Sequence, residues 1–120
     1  MITIISPARY KISKKKLRTE IQPILNKLGV AAEADVNIVF VGKRKMRSIA
    51  STYKHEDVAL PVLAFPYHER TGEMKNLLGE VILCFPQVIL LAAEREKKVE
   101  ETILNLIEHG VQNLIKSYKK

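Results

Sequence analysis

The sequence predicts an α+β fold, an α/β sandwich in which helices pack on a mixed four-stranded sheet. Three observations carry this reading. Short β-branched runs alternate with stretches whose apolar residues recur at helical spacing. Two extended runs follow each other directly before the last two helices, so the element order is β-α-β-α-β-β-α-α and the sheet is mixed. The 120 residues contain no repeat, low-complexity stretch or linker, which predicts one domain over residues 1–120 with enough chain to bury a core.

The elements follow in order. Residues 1–5 are weakly alternating and β-branched, a first strand ended by Ser6-Pro7. From Ser13, Leu17, Ile21, Ile24, Leu25 and Leu28 recur at helical spacing, with Ser13 as N-cap and Gly29 as the stop. Pro23 lies inside that helix and predicts a kink or a split. Asp35 to Val41 is the clearest strand, and Gly42 turns it into a helix from Lys43 to Lys54, whose Met46, Ile49, Ala50 and Tyr53 share a face. An irregular loop over 55–61 leads to a short strand from Pro61 to Phe65. Pro66 to Asn76 reads as a flexible stretch with Thr71-Gly72 as a turn. Leu77 to Phe85 is a further strand with its entry, and Pro86 at a first helical position starts a helix to about Glu94. Arg95 to Lys98 separates it from the final helix.

Composition bounds the function. A hydrophobic fraction of 47% with 28% charged residues is that of an ordinary globular chain. The longest apolar runs, Val81 to Phe85 and Val88 to Ala93, fall far short of the roughly 18 residues of a membrane span. The start, Met1-Ile-Thr-Ile-Ile-Ser-Pro7, lacks the basic opening and cleavage pattern of a secretion signal. The single cysteine, Cys84, excludes an internal disulfide and fits a reducing, cytoplasmic setting. Its place in an apolar run predicts a buried, inert thiol rather than a nucleophile. No G-x-S-x-G occurs.

Charge says more. Twenty Lys+Arg against 13 Asp+Glu give a net +7 and a pI near 9.6. The cations cluster: Arg9, Lys11, Lys14, Lys15, Lys16 and Arg18; then Lys43, Arg44, Lys45 and Arg47; then Lys116, Lys119 and Lys120. Such clusters suit nucleic acid, and acidic membranes or proteins would also meet them.

The last helix carries an apolar stripe of Val99, Ile103, Ile107, Val111, Leu114 and Tyr118. His109 falls almost opposite its centre, with Thr102, Asn105, Asn113 and Lys116 on the same polar side, while Gly110 lies towards the buried side. The only other histidines, His55 and His68, are in loops flanking the third strand, and nothing in their spacing demands that they converge.

The segment His109-Gly110-Val111-Gln112-Asn113-Leu114-Ile115-Lys116-Ser117-Tyr118-Lys119 resembles the signature H-G-x-L-H-L-x-G-x-D-H of the YbeY family of rRNA-maturation metalloendoribonucleases. His109, Gly110 and Leu114 match, while Asn113 and Lys119 stand at the second and third histidines, Lys116 at the glycine and Tyr118 at the aspartate. Four earlier blocks agree with it. Met46 to Lys54 is similar to I-R-x-L-N-x-x-Y-R, keeping Tyr53 but with Ala50 for the asparagine and Lys54 for the arginine. Leu60 to Phe65 is similar to T-D-V-L-S-F, keeping Val62, Leu63 and Phe65. Leu77 to Pro86 is similar to L-G-D-I-x-I-C-P, with Gly79, Glu80, Ile82, Cys84 and Pro86 in place. Val36 to Val41 looks like the family's second strand.

In the family all three histidines bind zinc. Here the resemblance leaves His109 alone, so it implies no zinc site and no cofactor, and no catalytic residue beyond Lys54 at the arginine position. Asparagine offers a neutral amide oxygen and lysine no lone pair at neutral pH, both poor zinc ligands. The matches fall on positions that build the fold, and the mismatches on polar positions around the family's cleft. The function expected is therefore that of an rRNA-maturation protein homologue that binds single-stranded RNA or the ribosome without cleaving it. RNA-binding candidates are Lys43, Arg44, Arg47, Lys54, His109, Asn113 and Lys116. No membrane partner is expected, and nothing points to DNA. Two alternatives remain: an active metal-dependent endoribonuclease whose site is rebuilt or completed by a partner, and a protein-interaction module whose lysines only aid solubility.

Overall fold

The computed structural model describes residues 1–66 and 77–118. In chain order these form β1 (Ile2–Ile5), α1 (Lys14–Lys27), β2 (Asp35–Val41), α2 (Lys43–Lys54), β3 (Val62–Pro66), β4 (Leu77–Cys84), α3 (Phe85–Glu94) and α4 (Val99–Ser117). The order is the one expected from the sequence. The stretch over 67–76, with its expected Thr71-Gly72 turn, lies outside the described residues, as do His68, Lys119 and Lys120.

The strands form one mixed sheet in the order β1-β2-β4-β3. β1, β2 and β4 run parallel, with Ile4 opposite Ile38 and Ile38 opposite Val81. β3 joins the far edge antiparallel to β4, pairing Leu63 with Ile82 and Phe65 with Glu80. Because side chains alternate along a strand, each strand serves two layers. Val36, Ile38, Phe40, Val81 and Leu83 face one core, closed by Leu17, Ile21 and Leu25 of α1, Val88 of α3 and Ile103, Ile107, Val111 and Leu114 of α4. Val41, Leu63, Ile82 and Cys84 face the other side, where Met46 and Ala50 of α2 cover them. Each fully buried aliphatic side chain contributes about 1.5–3 kcal/mol, so the larger layer under α1 and α4 dominates stability.

Local signals explain the boundaries. Ser13 Oγ accepts from the Lys16 amide at 3.3 Å and caps α1. Gly29 leaves that helix with φ 78°, a left-handed turn that glycine adopts without strain. Pro23 does not split α1, which is one helix from Lys14 to Lys27. It sits on the exposed face, where water can satisfy the carbonyl that loses its amide partner. β3 begins one residue later than expected and ends on Pro66, because Pro61 contributes only its carbonyl, which accepts from the Cys84 amide at 3.0 Å. Cys84 is the last residue of β4 and the N-cap of α3, not mid-strand.

α4 differs from its sequence reading at one point. Thr102, expected on the polar side, is 1% exposed, and its hydroxyl donates to the Lys98 carbonyl at 3.0 Å. At this end α4 is wedged between α1 and α3, so its buried arc is wider than the apolar stripe alone. Further along, α4 crosses β4 and β3, and the polar side opens to solvent.

Candidate functional site

Two close approaches seat α4 on the β3–β4 edge. Gly110 faces Val81, and a Cβ at residue 110 would stand 2.8 Å from Val81 Cγ1. Gly79 of β4 does the same for its neighbours: a Cβ there would meet the Phe65 carbonyl oxygen at 2.5 Å and Leu114 Cδ2 at 2.7 Å. Two missing side chains thus let Val81 pack directly on the backbone of α4 and Leu114 directly on that of β4. Tyr118 ties down the end of α4, its hydroxyl donating to the Leu78 carbonyl at 2.7 Å.

This packing leaves His109 and Asn113 exposed, one turn apart on the rim of α4. Lys54 approaches from the other side of β3. It is the last residue of α2, which stops there because His55 turns left-handed at φ 57°. Together Lys54, His109, Gly110 and Asn113 enclose a cleft of about 290 Å³ whose floor is Val62, Leu63 and Ala64 of β3. β3 is an edge strand. The Cys84 amide bonded to the Pro61 carbonyl marks that pair as hydrogen-bonded, so the alternation of antiparallel pairing turns the amides and carbonyls of Val62 and Ala64 outward. The cleft therefore combines an ammonium, an imidazole, a carboxamide and backbone donors and acceptors.

The other candidates do not line this cleft. Lys43 and Arg44 line a shallow depression at the start of α2 with Arg9, Gly42, Lys45 and Ser48. Lys43, Arg47 and Lys54 lie within about 40° of one another around α2, so they form one exposed stripe along roughly 18 Å of helix that ends at the cleft. Arg47 Nε is 3.8 Å from Asp57 Oδ1, both well exposed. Lys116 is exposed one turn beyond Asn113 and does not line the cleft. Of the first basic cluster, Lys16 pairs with Glu100 at 3.3 Å and Arg18 donates to the Ile2 carbonyl, which commits both to the α1 side. Sequence reasoning grouped Arg9 with the first basic cluster and missed both its place beside Lys43 and the outward edge of β3. Neither leaves a trace in local spacing.

Catalytic zinc asks for three protein ligands and an open position. Among the described residues no group of three or more His, Cys, Asp or Glu side chains is placed to hold a metal. The donors in the cleft, one imidazole with an amide and an ammonium, do not fit zinc. His55 is exposed at the end of α2 and does not line the cleft. Cys84 is fully buried, and burial pushes its thiol above its ordinary pKa against the smaller opposing pulls of a Gln87 backbone hydrogen bond and the Lys43 charge. That is the behaviour of a structural thiol.

No helix among the described residues is long and apolar enough to cross a membrane. Comparison with known proteins agrees with the fold and with the family resemblance. The family described as Endoribonuclease YbeY matches residues 4–115. An "Endoribonuclease YbeY" of Sulfurihydrogenibium sp. (strain YO3AOP1) is 30% identical over 105 residues, 88% of this chain and 68% of that protein. One from Cupriavidus necator is 36% identical over 85 residues, 71% of this chain and 42% of the relative. Among solved structures, a Thermotoga maritima protein determined in solution superposes with a TM-score of 0.65 at 25% identity, covering 95% of this chain and 71% of that one. The chain spans between about a third and two thirds of the length of the curated relatives it matches. A match over 112 of 120 residues, relatives at this level of identity and the likeness in fold leave one assignment: the chain belongs to the endoribonuclease YbeY family.

Proposed function

We propose that this protein is an RNA-binding member of its family that acts in rRNA maturation or at the ribosome, in the cytoplasm, without the family's zinc chemistry. One observation carries the reading: Lys54, His109 and Asn113 converge on a single cleft at the end of a basic stripe, with one imidazole among them. The cations supply a sequence-independent attraction for phosphate, which the net charge of +7 reinforces. Lys54 presents a point charge in place of the family's planar guanidinium, which keeps attraction and gives up bidentate geometry. His109 and Asn113 offer hydrogen bonds to bases or ribose hydroxyls, and the outward edge of β3 adds backbone donors and acceptors. With a lone imidazole in the cleft, activation of a water by zinc has no support from the described residues.

Two measurements test this. Purified protein should hold far less than one zinc per chain, and added zinc should leave Tm unchanged, since binding to the folded state alone would raise it. Binding of single-stranded RNA should weaken steeply with salt. Tightly held zinc on His109 would instead favour an active endoribonuclease with a rebuilt or partner-completed site, the reading that family membership supports. Absence of salt-sensitive RNA binding would favour a protein-interaction module.

A further inference from the structure

Tyr53 is out of keeping with its place. It shares the inward face of α2 with Met46 and Ala50, both fully buried, yet it is 64% exposed. The ring is nonetheless held: it stands edge-on to Phe65, centroids 5.2 Å apart at 68°. Phe65 follows Ala64 on β3 and Tyr53 precedes Lys54 on α2, so the ring pair is next in sequence to two residues that line the cleft without lining it itself. An oriented aromatic ring open to solvent beside a cationic groove is the element that single-strand binders use to stack bases. Charge alone cannot account for it, since phosphate attraction needs no ring.

We propose that Tyr53 is a nucleobase-stacking platform, holding one base of a single-stranded polynucleotide whose neighbouring phosphate meets Lys54 at the end of the basic stripe; this rests on the RNA-binding reading above. The contact with Phe65 orients the Tyr53 ring while leaving it 64% exposed, so part of the ordering cost of the aromatic is met before binding. The contact is tolerant of sequence, because every base has a π-face.

The test compares two fluorescent oligonucleotides of equal length and charge, a uridine 12-mer and its abasic counterpart, by anisotropy at low salt. The unmodified protein should bind the uridine strand more tightly. Tyr53→Leu should lose about 5- to 150-fold on the uridine strand and nothing on the abasic strand, while Tyr53→Phe stays within about twofold on both. Unchanged abasic binding also reports that the variant is folded. Equal affinity of Tyr53→Leu and unmodified protein for the uridine strand overturns the stacking role and leaves the RNA reading intact. Equal losses on both strands overturn it as well. Failure of the unmodified protein to bind either strand overturns both readings.

Discussion

Val81 Cγ1 stands 2.8 Å from the point where a side chain on residue 110 would place its Cβ, so Gly110 is the contact that sets the depth of α4 on the sheet. Helix propensity alone favours alanine over glycine by about 1 kcal/mol. Here a methyl would press on a stiff, fully buried valine, an overpacking that costs about 1–3 kcal/mol. Gly110→Ala should therefore lower stability by about 1 kcal/mol and Tm by a few degrees, and Val81→Ala in that background should recover part of the loss. A Gly110→Ala protein melting above its parent would show that α4 is not seated by this contact.

Cys84 gives a second test. Its folded thiol is held above its ordinary pKa, mainly by burial, so the unfolded chain ionises first as pH rises. The associated stability is complete below the unfolded value of about 8.5 and declines as pH climbs from there towards the folded pKa. The native protein should react with a thiol reagent at pH 8 only on unfolding, and at full rate in concentrated urea. Rapid labelling of the native state would place Cys84 on an accessible surface.

The basic stripe makes a quantitative prediction. Each phosphate contact on a single strand adds about 0.7 to the slope of log affinity against log salt. Reversing Lys43, Arg44 and Arg47 to glutamate should lower both affinity and slope. Arg47 also faces Asp57 at 3.8 Å, a surface pair of little stabilising value. Asp57→Asn should release Arg47, tighten RNA binding slightly and leave Tm unchanged. Titrations at several salt concentrations decide both points.

Restoring a metal site should be a demanding repair. Asn113→His recreates a pair of histidines one turn apart, which alone holds zinc weakly. A third ligand from residue 119 requires the chain to leave the helix after Leu114, yet α4 continues unbroken to Ser117 with Lys116 inside it. Asn113→His with Lys119→His should bind zinc poorly, and adding Lys116→Gly should improve it by allowing a left-handed turn. Calorimetric zinc titration of the three variants tests this order; tight binding by the double variant would contradict it.

Much of this was legible in the chain because the signals were local. Ser13, Gly29, Gly42 and Pro86 mark element ends through their own backbone chemistry, and the period of Met46 and Ala50 fixed the buried face of α2. The exposure of Tyr53 was not legible, because helical spacing groups it with Met46 and Ala50 and does not record how much of α2 the sheet covers. Thr102 was misplaced for a related reason: its burial comes from α1 and α3 closing on α4, which helical spacing does not record. Likewise, His109 and Asn113 announced a shared face by their spacing, whereas Lys54 joins them only because β3 brings α2 and α4 to one edge.

The central claim is that this cleft binds RNA without zinc-dependent cleavage. The most direct test is to incubate the unmodified protein with end-labelled single-stranded RNA, untreated, with chelator and with zinc restored, and to resolve the strands on a denaturing gel. The account predicts intact RNA in all three lanes. Cleavage that chelator abolishes and zinc restores would contradict it.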